Sequence, residues 1–222
     1  MNENRNTWKA AVAIGLMLLA LVAGMTLAFA ESKVLADRKV LADSSKVLGR
    51  ATFAGGCFWC MEEAFEDVSG VKSVASGFTG GKTVNPSYEQ VSAGGTGHAE
   101  AIEIVYDPAR ISYADLLRIY WRNIDPTTPN RQFCDVGEQY RAAIFYHDAE
   151  QKKLAEESLK EVEKTKPFKD PVVTQIVPAG AFYMAEAYHQ DFYRENPIKY
   201  KYYKYRCGRA QRLEELWGPK AH

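Results

Sequence analysis

The sequence predicts a single α+β domain in which helices pack on a mixed or antiparallel sheet. Two observations support this prediction, and a third excludes two kinds of partner. The chain has 222 residues, 46% of them hydrophobic and 25% charged, which is enough for one sizeable core. Short alternating segments typical of strands are separated by segments with helical periodicity. Lys and Arg together number 28, as do Asp and Glu, so no overall positive charge attracts nucleic acid or anionic lipid.

The first 30 residues differ in character from the rest of the chain. Arg5 and Lys9 precede an uncharged run over residues 10–30, which ends in the small-x-small triplet Ala28-Phe29-Ala30. This pattern predicts a secretory signal peptide over residues 1–30. The run is also long enough for an uncleaved membrane anchor, although its A-x-A end favours cleavage. With either interpretation we expect export to the periplasm or another extracytoplasmic space.

Residues 31–49 are predicted to be a linker, because they are charged and repeat "KVLAD" imperfectly three times. The domain is expected to begin near Arg50 and to occupy residues 50–222. Its last part, "KYKYYKYRCGRAQRLEELWG", is predicted to be a basic and aromatic tail.

The domain is predicted to open with a strand and a helix. "RATFAG" is typical of a short buried strand, and Phe58, Met61, Phe65 and Val68 then form the apolar stripe of an amphipathic helix. The later elements are predicted from the same patterns, in this order: a long loop over 77–101, a strand in "AEAIEIVYDP", a helix in "SYADLLRIYWRNID" capped by Ser112, an irregular stretch over 125–140, a strand in "RAAIFYH", an exposed helix in "DAEQKKLAEESLKEVEKT", a strand within 171–186 and a short helix in "AYHQDFYRENP".

The segment "GGCFWC" places Cys57 where this first strand passes into the first helix. A helix N-terminus stabilises a thiolate, so we expect the pKa of Cys57 to be lowered. Gly55 and Gly56 allow a sharp turn and are expected to leave room for a ligand. Phe58 and Trp59 would then form an apolar wall for a small uncharged group. A buried structural cysteine at a tight turn is the alternative interpretation.

The cysteines allow a second class of function. Cys57 and Cys60 form a C-x-x-C motif, which is typical of thiol–disulfide oxidoreductases, although the neighbouring βαβ pattern of the thioredoxin fold is missing. The other two cysteines, Cys134 and Cys207, make four, too few for a disulfide-stapled scaffold. The four lack the paired C-x-x-C spacing of a zinc site, so we expect no metal and no cofactor.

Glu100 is a candidate general acid. In the alternating segment after His98 it shares a face with Ile102 and Ile104, which we predict to be buried. A carboxyl group among apolar side chains has a raised pKa and can donate a proton. A position at the solvent-exposed fringe of the sheet is the alternative, and His98 is expected to be structural.

Five segments together resemble the A-type peptide-methionine sulfoxide reductases. They cover roughly residues 50–200 in the order of that family: "GGCFWC" at 55–60, "NPSYEQV" at 85–91, "GTGHAEAIEIVYDP" at 95–108, "CDVGEQYRAAIF" at 134–145 and "HQDFYRENP" at 189–197. The resemblance implies a two-layer α+β sandwich. It also implies reduction of the S epimer of methionine sulfoxide, free or in proteins, by a monomer without a cofactor and with a thioredoxin-like reductant.

The resemblance assigns a role to each matched position. It implies Cys57 as the nucleophile and Glu100 as the proton donor to the sulfoxide oxygen. The remaining implied roles are oxygen binding by Tyr88 and Tyr140, a wall for the methyl group from Phe58 and Trp59, and a polar contact near the substrate from Asp135.

The chain departs from the family pattern at the thiol that resolves the oxidised nucleophile. Cys60 stands where glycine is common, and Cys207 arrives late in the basic tail. We expect Cys207 to be the resolving thiol, because a near-terminal segment is expected to be mobile. Cys60 is the second candidate: it is near Cys57 in the sequence, but a helix fixes the direction of its side chain. Cys134, next to Asp135, is the third candidate.

Overall fold

The computed structural model of the chain describes residues 47–219. The predicted leader and all but the last three residues of the predicted linker lie outside this range. Within residues 47–219 there is no helix with the length and apolar character needed to cross a membrane.

Seven α-helices and eight strands make up the described part of the chain. The helices are α1 (Phe58–Glu66), α2 (Tyr88–Ala93), α3 (Tyr113–Arg122), α4 (Ala149–Thr165), α5 (Phe192–Glu195), α6 (Pro197–Arg206) and α7 (Arg209–Trp217). The strands are β1 (Gly49–Gly55), β2 (Val71–Thr79), β3 (Ala99–Tyr106), β4 (Arg131–Gln132), β5 (Asp135–Val136), β6 (Ala142–Tyr146), β7 (Gln175–Pro178) and β8 (Tyr183–Met184).

Six of the strands form one mixed sheet in the order β7-β6-β1-β3-β2-β8. Only the β6–β7 pair among them is parallel, and the other pairs are antiparallel. In the centre of the sheet Phe53 of β1 lies opposite Ile102 of β3 and Ile144 of β6. The predicted α+β fold with a mixed sheet and packed helices is confirmed.

The main core lies between the sheet and helices α1 and α3. Phe53 from the sheet packs on Tyr120 of α3 with ring centroids 4.9 Å apart, and Met61 of α1 is fully buried beside them. The other face of the sheet carries small side chains such as Ala101 and Ala143, packed by the chain around Phe182. Cys57 therefore lies at the end of a central strand, supported by the main core.

The stretch predicted as a long loop contains regular structure. Strand β2 continues to Thr79, and Ser87 caps α2 by accepting the Gln90 N–H while the Gln90 side chain accepts the Ser87 N–H. This reciprocal cap stabilises a helix of only six residues inside a sequence rich in glycine and serine. Ser112 caps α3 as predicted, with Asp115 as its partner.

The prediction of a mobile C-terminal tail is wrong for the residues up to 219. Residues 197–217 form α6 and α7, and α7 buries Leu213, Leu216 and Trp217. Arg209 at its start is also buried and donates hydrogen bonds to the carbonyl oxygens of Gly55 and Asn123. The tail is therefore packed against the turn that precedes Cys57.

Candidate active site

The turn between β1 and α1 positions Cys57 as the N-cap residue of the helix. Gly56 has a φ of +81°, which favours glycine, and a Cβ there would lie 2.5 Å from the Cβ of Gln132. A Cβ on Gly55 would lie 2.6 Å from the Sδ of Met61. The sharp turn was predicted correctly, but the glycines admit neighbouring protein side chains rather than a ligand, so that part of the prediction is wrong.

Glu100 lies beside this turn on strand β3. Its side chain is 3% exposed, on the buried face with Ile102 and Ile104. The backbone N–H of Phe58 donates a hydrogen bond to Oε2 of Glu100 at 3.1 Å. Burial raises the pKa of Glu100 to about 8, against the smaller opposing effect of this hydrogen bond. The carboxyl group is therefore protonated at neutral pH and can donate.

A small cavity of about 70 Å³ lies next to Cys57 and Glu100. Every position to which the resemblance assigns a substrate or catalytic role lines it, together with Tyr203: Cys57, Phe58, Trp59, Tyr88, Glu100, Asp135, Tyr140 and Tyr203. These residues come from the turn before α1, α1 itself, α2, β3, the β4–β5 hairpin, the 3₁₀ helix Glu138–Tyr140 and α6, so they are spread over residues 57–203. The folded chain thus brings one thiol, two carboxyl groups and three phenols around a single small space.

The phenols around the cavity are neutral donors. Burial raises the pKa of both Tyr88 and Tyr140, and the nearby Glu100 adds to the effect. Tyr88 is fixed through its backbone N–H, which donates to Oε1 of Glu186 at 2.9 Å. Neutral hydroxyl groups directed at one space can stabilise an oxygen atom that gains negative charge.

Asp135 and Tyr203 form the side of the cavity that α6 covers. The Tyr203 hydroxyl donates a hydrogen bond to Oδ2 of Asp135 at 2.6 Å. Burial raises the pKa of Asp135, while this hydrogen bond opposes the rise. Tyr203 was not predicted from the sequence, although its spacing of three from the buried Tyr200 in "KYKYYKY" indicates one helix face.

The apolar side of the cavity is built from stacked rings. Trp59 stacks on Phe192 with centroids 3.8 Å apart, and its Nε1–H donates to Nδ1 of His189 at 3.2 Å. Phe58 is fully buried and contacts the same His189 ring. His189, also not predicted, thereby fixes Trp59, whereas His98 lies elsewhere and bonds the backbone of Gly81 and Thr83.

Cys57 and Cys60 are both free thiols and both buried. Burial raises the pKa of Cys57, and Cys60 and Glu100 add to the rise. The pKa of Cys60 is lowered to about 6, first by the hydrogen bond from Cys57 and further by Arg209. The prediction of a lowered pKa for Cys57 is therefore wrong, because the desolvation caused by burial outweighs the stabilisation of a thiolate by the helix N-terminus. Cys60 is therefore the more acidic thiol of the pair, and Cys57 donates its S–H hydrogen bond to Cys60.

The other two cysteines form a disulfide, Cys134–Cys207, across 73 residues of sequence. Cys134 is exposed, and the sulfur of Cys207 lies 4.0 Å from the Tyr203 hydroxyl and 3.9 Å from Oδ2 of Asp135. Cys207 is thus held at the edge of the cavity by a covalent bond and by α6. This differs from the free tail thiol expected from the sequence, since the tail packs as two helices.

Comparison with known proteins agrees with this geometry. The sequence model of the family described as peptide methionine sulfoxide reductase matches residues 49–221. The chain belongs to this family. A peptide methionine sulfoxide reductase MsrA of Bacillus licheniformis is 51% identical over 170 residues, which cover 77% of this chain and 94% of that protein. The MsrA of Bacillus subtilis has the same identity over the same length, with 96% of that protein covered.

Solved structures of the family have the same fold. The reduced form of Mxr1 from Saccharomyces cerevisiae matches with a TM-score of 0.64 and 30% identity, covering 68% of this chain and 87% of that one. The methionine sulfoxide reductase A of Corynebacterium diphtheriae matches with a TM-score of 0.61 and 32% identity, covering 68% and 76%. The family therefore agrees with the fold and with the kind of chemistry that the cavity can support.

Proposed function

We propose that this chain repairs oxidised proteins by reducing the S epimer of methionine sulfoxide, free or in a polypeptide, to methionine. One observation carries the proposal: Cys57, the protonated Glu100 and two neutral phenols line the same 70 Å³ cavity, closed on one side by aromatic rings. A sulfoxide presents an oxygen, a methyl group and an electrophilic sulfur. The cavity offers a separate partner for each of the three, and three fixed points distinguish one epimer from the other.

The first step is attack of the Cys57 sulfur on the sulfoxide. Glu100 donates its proton to the sulfoxide oxygen, and Tyr88 and Tyr140 stabilise that oxygen by hydrogen bonds. Cys57 loses its proton to the thiolate of Cys60, with which it is already hydrogen-bonded. The oxygen is transferred, so the products are methionine and a sulfenic acid on Cys57.

The second step is condensation of the sulfenic acid with another thiol. Cys60–SH reacts with Cys57–SOH to give the Cys57–Cys60 disulfide and one water molecule. Two observations support Cys60 as this thiol: it is free, and its sulfur already contacts that of Cys57. An external dithiol of the thioredoxin type then reduces the disulfide by exchange.

Cys207 is the alternative resolving thiol. Its sulfur and that of Cys57 both neighbour the Tyr203 hydroxyl. Use of Cys207 would require prior reduction of the Cys134–Cys207 disulfide. Cys134 is the more exposed residue of that disulfide. We therefore propose Cys60 as the first candidate for the resolving thiol and Cys207 as the second. This reverses the order expected from the sequence.

The N-terminal sequence supports a proposal about where the enzyme acts. We propose that the chain acts as a monomer outside the cytoplasm, after removal of residues 1–30 or while anchored by them. Export would place the enzyme where oxidants reach proteins and where the Cys134–Cys207 disulfide is stable.

A stoichiometry experiment tests the proposed function against thiol–disulfide exchange. The purified chain is incubated with dithiothreitol and a limiting amount of methionine (S)-sulfoxide, and both methionine and oxidised dithiol are measured. We expect one methionine per dithiol oxidised and no reaction with the R epimer. In a parallel reaction a disulfide substrate replaces the sulfoxide. Disulfide reduction faster than with dithiothreitol alone, together with no methionine from the sulfoxide, would instead indicate an oxidoreductase using Cys57 and Cys60.

A further inference from the structure

A second and larger cleft lies behind the helix that carries Cys57. It has a volume of about 710 Å³ and is formed by α1, α3, α6 and α7. Six of the residues that define it are Cys60, Ala64, Arg118, Arg122, Lys204 and Ala210. Among residues 47–219 the cleft and the substrate cavity share no lining residue.

The two cysteines of the C-x-x-C motif face different spaces. Cys57 lines the substrate cavity, whereas Cys60 lines the cleft. Once these residues are joined in a disulfide, one sulfur borders each space. The disulfide would then be part of the wall between the substrate cavity and the cleft.

The position of each sulfur decides what its reduction would release. A thiolate that attacks one sulfur of a disulfide expels the other sulfur. Attack on Cys60 from the cleft therefore expels Cys57 and regenerates the nucleophile directly. Attack on Cys57 would require the reductant to enter a cavity of only about 70 Å³.

The cleft is positively charged. Of the described residues that line it, four are cationic and two are acidic. Lys204 pairs with Glu63, and Arg118 pairs with Asp115. The guanidinium of Arg122 lies over the Trp217 ring at 4.9 Å.

Arg209, the fourth cation, donates its hydrogen bonds to backbone carbonyl oxygens and not to a carboxylate. The cationic side chains that line the cleft therefore outnumber the acidic ones by two. A volume of this size is in the range of small-molecule sites.

We propose that this cleft is the access site for a small thiol bearing a carboxylate, which reduces the Cys57–Cys60 disulfide by attacking the sulfur of Cys60. The inference rests on the proposed function, because it needs that disulfide as the product of sulfoxide reduction. The thiolate RS⁻ forms a bond with Cys60, the Cys57–Cys60 bond breaks, and Cys57 leaves as a thiolate that takes up a proton. A second RS⁻ then forms RSSR and releases Cys60. The basic side chains of the cleft bind the carboxylate of the reductant and raise its local concentration.

The test compares an anionic with a neutral thiol on oxidised enzyme. The reduced chain is first treated with one equivalent of methionine (S)-sulfoxide, and the methionine formed is measured. 3-Mercaptopropionate or 2-mercaptoethanol is then added at equal thiolate concentration. The return of the Cys57 thiol is followed by alkylation and mass spectrometry. We expect 3-mercaptopropionate to react about 10-fold faster at low salt, and this advantage to shrink as ionic strength rises.

Four variants locate the effect. Arg118→Gln/Arg122→Gln should lose most of the preference for the anionic thiol, whereas Arg118→Lys/Arg122→Lys should retain it. Ala210→Trp, a change at an exposed position of the cleft, should slow reduction by both thiols. Arg50→Gln is the matched control, because Arg50 is an exposed arginine that pairs with Glu103 outside the cleft. It should leave both rates unchanged.

Equal rates for the two thiols in the unaltered chain would overturn the proposal, as would a preference that survives Arg118→Gln/Arg122→Gln. Rates with both small thiols that are unaffected by Ala210→Trp would also overturn it. Measuring methionine before any thiol is added distinguishes failure of the cleft proposal from failure of the proposed function. If methionine is not formed before any thiol is added, the proposed function is wrong. If methionine is formed in every variant, the variants are folded and the result concerns the cleft alone.

Discussion

The backbone N–H of Phe58 donates a hydrogen bond to Oε2 of Glu100 at 3.1 Å. Phe58 directly follows Cys57, so this bond fixes the carboxyl group beside the sulfur. The first free N–H of helix α1 is thus used to orient an acid, and burial keeps that acid protonated. Proton donation to the sulfoxide oxygen during thiol attack requires this pairing of a thiol with a neutral acid.

Cys57→Ser should abolish reduction of methionine sulfoxide. The serine hydroxyl is a weak nucleophile at neutral pH unless a strong base activates it. The thiolate of Cys60 is too weak a base to do so. Methionine formation is measured by chromatography with dithiothreitol as reductant. Cys134→Ser/Cys207→Ser, which removes both sulfurs of the disulfide and leaves Cys57 and Cys60 intact, serves as the control. Turnover of Cys57→Ser at the normal rate would exclude Cys57 as the nucleophile.

Glu100→Gln should slow the attack step by about 10²–10⁴-fold, the range for loss of a general acid. Glutamine keeps the shape of the side chain and its acceptor for the Phe58 N–H, but it has no proton to transfer. The rate of methionine formation is measured in a single turnover by rapid quench. An unchanged single-turnover rate would mean that Glu100 is structural.

The same substitution should flatten the pH dependence of stability. Burial raises the pKa of Glu100 to about 8, above the value of about 4.3 in an unfolded chain. Between these values the folded state binds more protons than the unfolded state, so Glu100 makes stability fall as pH rises from about 4 to about 8. Urea unfolding of Glu100→Gln should show a smaller fall over this range. An identical fall in both proteins would show that the pKa of Glu100 is not raised.

The single-turnover rate should be bell-shaped in pH. It should rise as Cys60 ionises near pH 6 and fall as Glu100 ionises near pH 8. Cys60→Ser should remove the acidic limb while the alkaline limb remains. Rapid-quench measurements between pH 5 and pH 9.5 test this. A rate that keeps rising above pH 8 would contradict proton donation by Glu100.

Recycling should depend on Cys60 more than on Cys207. Cys60→Ser should form one methionine and then stall with a thioredoxin-type donor, while dithiothreitol should partly restore turnover by reaching the sulfenic acid directly. Cys207→Ser should continue to turn over. Steady-state rates with both reductants make the comparison. If Cys207→Ser stalls and Cys60→Ser does not, the resolving thiol is Cys207.

Much of the site followed from local sequence patterns. The strand–glycine–cysteine turn and the alternation around Glu100 predicted a thiol at a helix start and a buried carboxyl group, because both depend on short-range periodicity. The alternative positions for Cys57 and Glu100 were excluded only by the resemblance to the family. The cap by Ser87 inside a glycine-rich stretch was missed, since polar composition concealed a helix of six residues. The close packing of Gly56 on Gln132 depends on a contact between residues 76 positions apart, which no local pattern encodes.

The C-terminal region was the least predictable part. Tyr203, Arg209 and Cys207 all act on the site through the packing of α6 and α7 against the turn at Gly55. Their sequence is basic and rich in tyrosine, which resembles an exposed tail. The pairing of Cys207 with Cys134 likewise needs the fold, because four cysteines allow three complete pairings.

A single turnover without reductant shows whether Cys57 takes the oxygen of methionine sulfoxide and whether Cys60 then resolves it. The reduced chain is mixed with one equivalent of methionine (S)-sulfoxide, methionine is counted, and the cysteine pairs are mapped by proteolysis and mass spectrometry. We expect one methionine per chain, a new Cys57–Cys60 disulfide and no reaction of the R epimer. Absence of methionine, or methionine formed while Cys57 stays a free thiol, would contradict this expectation.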